Sequence, residues 1–223
     1  MLRYIAIAGV VVMLALSSST SAQVRPTVPS ALLAWAGRSP VEFAMALAYA
    51  SVPSGLEIRE SDDIPPSARP EFKIDPAQNI HASELAKAFN SNRSDYRAVV
   101  MGEVLVIRPT EDRMPFLDLP STIDSPLRVT GLMAAARQVF SALDPGLRGP
   151  VLNSMGRESD TIPIVLDGGG AHKVIDTLNQ IVLQARSRTW FVTTRKEREG
   201  IHVVGFGIIE ANGARRTQPM RRP

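Results

Sequence analysis

The residues best suited to chemistry are an aspartate and three glycines, Asp167-Gly168-Gly169-Gly170, between a predicted strand and a predicted helix. Backbone N–H groups at such a helix start can hold an anion, and phosphate-binding loops lie at this position. However, Gly168, Gly170 and Lys173 fit neither GxGxxG nor GxxxxGK(S/T). We therefore interpret the run as a tight turn that needs glycine for a positive φ, with anion binding as the alternative.

Three histidines could ligate a metal or transfer protons, namely His81, His172 and His202. They fall in separate segments, and no two of them have the spacing of metal ligands. His81 and His172 each lie at the start of a predicted amphipathic helix, in equivalent positions of two similar units. We therefore expect them to lie apart, as residues of helix starts or of the surface.

An acidic cluster could attract a cation: Glu57, Glu60, Asp62 and Asp63. It lacks the glycine and the final glutamate of an EF-hand loop, which favours a solvated loop. Serines occur without a GxSxG or SxxK pattern, and the absence of cysteine excludes thiolate catalysis and disulfides. The sequence thus predicts no catalytic, cofactor-binding or metal-binding residue. An exported hydrolase remains an alternative only if Asp167, His172 or Glu84 converge in a pocket with shifted pKa values.

The first residues predict export. Arg3 is followed by an apolar run over residues 5–16 and by small residues up to Ala22, as in a secretory signal peptide cleaved after Ala22. The run is too short for a membrane span, which needs roughly 20 apolar residues. We expect a periplasmic or secreted protein without a transmembrane span in the mature chain.

Positive charge is concentrated at the end of the chain. The formal net charge is +3, and four arginines lie in the last nine residues: Arg215, Arg216, Arg221 and Arg222. This segment is too polar to order itself, so a disordered basic tail is expected over residues 210–223. Such a tail could bind an anionic envelope polymer or lipid headgroups. Export and the lack of interleaved aromatic residues argue against a nucleic-acid partner.

The elements that position these residues form a unit that occurs twice. Residues 71–107 contain an extended segment (71–75), an amphipathic helix (82–90) and a hairpin (96–107). Residues 162–206 repeat this order with a helix over 171–185 and a hairpin over 190–206 that turns through 195–200.

The segments that lead into the two units are also predicted from local patterns. Ser39-Pro40-Val41-Glu42 is a capping box with proline at the first helical position, which predicts a helix up to residue 50. Residues 56–59 alternate between apolar and charged side chains, which is typical of a half-buried strand. A further amphipathic helix begins at Thr130, ahead of the second unit.

The predicted fold class is therefore α+β, with two tandem small modules of helix, strand, helix and β-hairpin, either separate or packed as one domain. The boundaries that we predict are a signal peptide (1–22), a leader (23–38), a first module (39–109), a proline-rich linker (110–126), a second module (127–209) and the basic tail (210–223).

The first module resembles a known family. Leu56-Glu57-Ile58, Phe72-Lys73-Ile74, Glu84-Leu85 in a short helix, and a hairpin that ends in Val104-Leu105-Val106-Ile107-Arg108-Pro109 look like the secretin and TonB N-terminus domain. The resemblance covers about residues 40–109, with a weaker second copy at 127–206. That family is a small α+β module at the periplasmic start of secretins and of signal-transducing TonB-dependent receptors. The resemblance implies protein–protein contact in the periplasm, without catalysis or a cofactor.

Two features are candidates for docking. Trp190 and Phe191 begin the second hairpin on opposite faces, so we expect one in the core and the other exposed to a partner. The outer strands of the hairpins could also accept a partner strand through unpaired backbone groups. The sequence thus predicts an exported periplasmic adaptor that binds an envelope protein without catalytic activity. The alternatives are a binder of anionic polymer or lipid headgroups through the arginine tail, and the hydrolase above.

Overall fold

The computed structural model describes residues 30–63, 81–121, 123, 126–141, 148–153, 162–167, 172–185 and 188–210. The predicted signal peptide, the extended segment 71–75, the glycines of the turn and the arginine tail lie outside these ranges. No helix of the described part is long and apolar enough to cross a membrane.

The described residues form five α-helices and eight β-strands. The first half of the chain contains α1 (Ser30–Ala36), α2 (Pro40–Tyr49), β1 (Ser54–Arg59), α3 (Ala82–Asn92), β2 (Tyr96–Met101) and β3 (Val104–Pro109). The second half contains β4 (Leu127–Thr130), α4 (Leu132–Ser141), β5 (Arg148–Asn153), β6 (Pro163–Leu166), α5 (Val174–Gln184), β7 (Arg188–Glu197) and β8 (Gly200–Glu210). Short 3-10 turns occupy Glu60–Asp62 and Pro115–Asp118. The fold is α+β, as the sequence predicts.

Local sequence signals determine where the main elements begin and turn. The Ser39 side chain accepts a hydrogen bond from the Glu42 N–H, and Glu42 accepts one from the Ser39 N–H, so the predicted capping box is confirmed. Gly102 has a φ of 62° in the turn of the first hairpin. The second hairpin turns later than predicted, because residues 195–197 still pair with β8 before Gly200, whose φ is 141°.

One six-stranded sheet contains strands from both halves, in the order β2-β3-β1-β7-β8-β5. β1 is parallel to β3 on one side and to β7 on the other, so that Leu56 pairs with both Ile107 and Phe191. The hairpins β2–β3 and β7–β8 are antiparallel, and β5 is parallel to β8. A separate antiparallel pair joins β4 and β6. Each half thus contributes three adjacent strands in the same order.

Each strand of the second half runs antiparallel to its counterpart in the first half. β3 and β7 are both parallel to β1, yet β3 is the second strand of its hairpin and β7 is the first strand of its own. The second half therefore repeats the first after a half-turn about an axis that crosses the strands. This rotation exchanges the faces of the sheet, and the helices of the two halves consequently cover opposite faces.

Two hydrophobic cores reflect this arrangement. The first face packs against α1, α2 and α3, and its core includes Leu47, Leu85, Phe89, Leu105, Ile107 and Phe191. The second face packs against α4 and α5, and its core includes Val106, Val139, Leu178, Ile181, Trp190 and Val192. Neighbouring residues of one strand alternate between the cores because successive side chains of a strand point to opposite faces.

Burial on both faces corrects one prediction. Residues 56–59 were expected to form a half-buried strand, but Leu56 and Ile58 are buried on the first face and Glu57 is fully buried between them. The reason is that β1 is an interior strand with helices on both sides. The predicted proline-rich linker also contributes to the second core, through Met114, Phe116 and Leu117.

Candidate docking site at the edge of the sheet

The two aromatic residues proposed for docking are both in the core. Trp190 is 1% exposed on the second face, and its indole N–H donates to the Asn179 Oδ1 at 2.8 Å. Phe191 is 6% exposed and belongs to the first core. The prediction that they point to opposite faces is correct, but neither is exposed, because the hairpin that they begin lies inside the sheet rather than at its edge.

The acidic cluster is divided among separate ion pairs. Glu60 accepts two hydrogen bonds from Arg195 at 2.5 and 2.6 Å, which lower its pKa. Asp62 is bound by Arg59 at 2.7 Å. Burial opposes ionisation of Asp62, but the hydrogen bonds from Arg59 and Tyr96 lower its pKa on balance. No group of three or more acidic or histidine residues within the described ranges could hold a metal ion.

Glu57 departs most from the expected solvated loop. Its carboxylate is fully buried, accepts a hydrogen bond from Arg108 Nε at 2.6 Å and another from the Met114 N–H. Burial raises its pKa, although the charge of Arg108 acts in the opposite direction. Arg108 also binds Asp118 at 2.9 Å, so this group fastens the segment after β3 to the sheet.

The residues of the hydrolase alternative do not converge. Glu84 is an exposed residue of α3, which covers the first face, whereas Asp167 and His172 both precede α5, which covers the second face. His81 is the N-cap residue of α3, and His172 directly precedes the N-cap residue of α5. They occupy similar places in the two halves, as expected, and His202 lies on β8.

Among the strands that the structure describes, β2 and β5 are the two outer ones of the sheet. The second hairpin has no free flank, because β7 pairs with β1 and β8 pairs with β5. In the first hairpin β3 pairs with β1, and β2 is the outermost strand. Of the two predicted hairpin edges, the structure thus presents the one formed by β2.

A groove of about 490 Å³ runs between β2 and α3. We call it the edge groove. The helix contributes small and polar side chains. The strand contributes Val100, which is 37% exposed on the same face as Ala98, and Val99, which is 47% exposed and borders the groove at the strand edge from the opposite face. Its lining consists of Ser83, Ala86, Lys87, Asn90, Ser91, Arg97, Ala98, Val99 and Val100.

The charge of the edge groove is positive. Among the described residues that line it, Lys87 on α3 and Arg97 on β2 are basic and none is acidic. Neither cation forms an ion pair with a residue that the structure describes. The groove therefore favours a ligand with negative charge.

One side chain spans the edge groove. The Asn90 Nδ2 group donates to the Ala98 carbonyl at 2.9 Å, and the Asn90 Oδ1 accepts from the Ala98 N–H at 2.8 Å. The carboxamide thus binds the strand as a neighbouring strand would, with one donor and one acceptor. These backbone groups consequently point away from β3, toward the groove.

The start of β2 is anchored independently of the groove. The Tyr96 hydroxyl donates to Asp62 at 2.9 Å and accepts from the Arg59 N–H at 3.0 Å. Burial, together with the carboxylate of Asp62, raises the pKa of Tyr96 to about 12. The hydroxyl therefore stays protonated at neutral pH and connects β2 with the segment after β1.

No family model, curated protein or solved structure matches this chain. The class of protein is therefore defined by the fold and the edge groove alone. The resemblance to the secretin and TonB N-terminus domain stays a prediction.

Sequence reasoning identified the edge of the hairpin but missed Asn90. An asparagine in the last turn of a helix is common, and its side chain often caps the helix or meets solvent. The two hydrogen bonds to Ala98 depend on the position of β2 beside α3. The sequence carries no signal that distinguishes this asparagine from Asn92, which binds a carbonyl of its own helix.

Proposed function

We propose that this chain is an exported periplasmic adaptor that binds an envelope protein by adding a strand of the partner to β2. The predicted signal peptide supports the location, and the resemblance to a periplasmic docking module supports the class of function. The edge groove is the proposed site of contact. Backbone hydrogen bonds would supply the affinity, and the side chains of the groove would supply the specificity.

The observation that carries the proposal is the position of β2. It is an outermost strand of the sheet and has exposed valines beside an open groove. An outer strand presents unpaired N–H and C=O groups that can template another strand. The residues considered for hydrolysis do not converge, because Glu84 lies on α3 over the first face and Asp167 and His172 lie near α5 on the second face. This favours docking over a hydrolase.

Site-specific photo-crosslinking in cells tests the proposal. A photoreactive amino acid replaces Val99 in the edge groove or, as the matched control, Leu183, which is 40% exposed on α5. We expect a defined adduct with an envelope protein from position 99 and none from position 183. The adduct should persist at high salt, because backbone hydrogen bonds are less sensitive to screening than exposed charges are.

Two results would contradict docking at β2. Equal adducts from both positions would mean that contact is not specific to the groove. Loss of the adduct on removal of Arg215, Arg216, Arg221 and Arg222 would assign binding to the arginine tail instead.

A further inference from the structure

The backbone groups of β2 that face the edge groove follow from its pairing with β3. In an antiparallel pair, residues alternate between those that bond to the partner strand and those whose N–H and C=O groups point outward. Ala98 points outward, because both groups bind Asn90. Tyr96 and Val100, two residues away on either side, share this orientation. A strand added to β2 would therefore bind Ala98 and Val100, and Asn90 occupies the first of these positions.

We call a helix side chain that binds both backbone groups of a strand residue a clamp, as Asn90 does at Ala98. The second half of the chain contains another clamp, which binds more of its strand. Gln184 on α5 binds both the N–H and the C=O of Val165 on β6, at 2.8 and 2.7 Å. Gln180, one turn earlier, accepts from the Asp167 N–H at 3.1 Å. The remaining outward residue of β6 is Pro163, which has no N–H group. Glutamines thus hold the outward N–H groups at the end of this strand, and a proline removes the one at its start.

In the first half, Asn90 binds Ala98 alone. Val100, whose backbone groups also point outward, is exposed and has no such clamp in the described residues. The glutamines leave no outward N–H group of β6 for a partner strand, whereas β2 offers Val100, where a partner strand could begin to pair. This contrast suggests exchange rather than permanent closure at β2.

We propose that Asn90 is a displaceable placeholder for an extended, acidic segment of a partner protein. The partner backbone would take over the two hydrogen bonds of Ala98. Carboxylates on one face of the partner strand would meet Lys87 on the side of α3, and carboxylates on its other face would meet Arg97. This inference rests on the proposed function of the edge groove. It adds the chemistry of the partner and the residue that competes with it.

Exchange of this kind has a small net free-energy change at Ala98. Two hydrogen bonds to a carboxamide are replaced by two hydrogen bonds to a peptide, and Asn90 is released to solvent. Asn90 therefore lowers the affinity of every strand that binds at this edge, while it also keeps the edge closed when no partner is present. The charges of the groove then select among the strands that can displace it.

Titration of the full chain with peptides tests both the displacement of Asn90 and the preference for an acidic segment. The probes are a short synthetic peptide in which Asp alternates with Val and Thr, and its counterpart with Lys in place of Asp. Binding is followed by NMR through the amide shifts of Ala98 and Val100. We expect the acidic peptide to bind and the basic one to bind at least tenfold more weakly, with a difference that decreases as salt increases.

Three variants separate the effect of Asn90 on affinity from the effect of the charged residues. Asn90→Ala should increase the affinity for the acidic peptide by about tenfold, because the competing carboxamide is gone. Gln184→Ala, the matched control in the second clamp, should leave the affinity unchanged. Lys87→Glu should abolish the preference between the two peptides, because the new carboxylate offsets the remaining charge of Arg97, and it tests the inference even if the Asn90 variant does not fold.

Failure of this inference is distinguishable from failure of the proposed function. If position 99 gives the specific adduct but Asn90→Ala binds no more tightly, or both peptides bind equally, docking stands and the inference is overturned. If neither peptide shifts Ala98 and Val100 and position 99 gives no adduct, docking at β2 itself is wrong, and the inference with it.

Discussion

A buried ion pair shows how single residues connect segments that are distant in sequence. Glu57 in β1 is fully buried, and Arg108 at the end of β3 is 11% exposed in its side chain. Their contact at 2.6 Å, with the hydrogen bond from the Met114 N–H, joins β1, β3 and the segment that follows. Burial of a charge is costly unless it is paired and hydrogen-bonded. Each partner is therefore required for the other to be buried.

Arg108→Met should reduce the free energy of unfolding by about 3–5 kcal/mol, because Glu57 would remain buried without its partner. Lys196→Met is the matched control. It removes a contact of 2.7 Å with Asp112, but the Lys196 side chain is 67% exposed, so the loss should be below about 1 kcal/mol. Denaturant titration measures both. Equal losses would mean that burial does not determine the strength of these pairs.

The same variant has a predicted pH dependence. The pKa of Glu57 is raised above 4.5 in the folded protein, so from pH 4.5 up to the raised value the folded state binds more protons than the unfolded state. In this window the free energy of unfolding falls as pH rises. Loss of the Arg108 charge should raise this pKa further. The loss in free energy of unfolding caused by Arg108→Met should thus be smaller at pH 5 than at pH 8. A larger loss at pH 5 would show that Glu57 is not the group responsible.

At the scale of elements, the junction between β1 and β7 holds the two halves together. All six residues of β1 pair with β7, from Ser54 with Thr189 to Arg59 with Thr194. The indole of Trp190 lies directly over Gly55, where a side chain would have no space. Glycine is required at this position for close approach, since a Cβ atom there would lie 2.1 Å from Trp190 Cε2.

Gly55→Ala should therefore destabilise the protein by about 1–3 kcal/mol or more, because Trp190 or the strand must move in a packed core. Gly205→Ala is the matched control in a strand of the same sheet. Its Cβ would lie 3.5 Å from Thr193, an ordinary contact, and we expect a change within about 1 kcal/mol in either direction. Thermal unfolding of both variants measures the difference, and similar midpoints would show that the junction tolerates displacement of the indole.

At the scale of the molecule, the halves share one sheet but have separate cores on its two faces. β1 contributes Leu56 and Ile58 to the first core, and the hairpin β7–β8 contributes to both. Unfolding of the first half would expose Phe191 of the second half, which is buried in the first core. Unfolding of the second half would expose Val106 of the first half, which is buried in the second core. Hydrophobic burial thus links elements that are far apart in the chain.

We therefore expect the two halves to unfold together. Amide hydrogen exchange should give Val106 in β3 and Val192 in β7 the same free energy of opening as denaturant increases, since both are buried in interior strands. Exposed amides of β2, such as that of Val100, should exchange earlier. Distinct limiting free energies for Val106 and Val192 would show that the halves open separately.

Much of the local structure could be predicted from the sequence. The capping box at Ser39, the amphipathic stripe with Leu85 and Phe89, and the hairpin with Gly102 are all present in the structure. Each of these signals acts within a few residues of the chain. The repeated order of helix and hairpin followed from the same local patterns, and so did the α+β class.

The tertiary structure alone decided which strand is interior and which residue meets the groove. Burial of Glu57, burial of both Trp190 and Phe191, and the clamp of Asn90 on Ala98 each depend on contacts with a separate element. A strand pattern does not reveal whether one or both faces will be covered, because this depends on where the second half places its helices. The chain by itself thus determined its elements, whereas packing of two halves with reversed strand directions in one sheet decided its cores and its open edge.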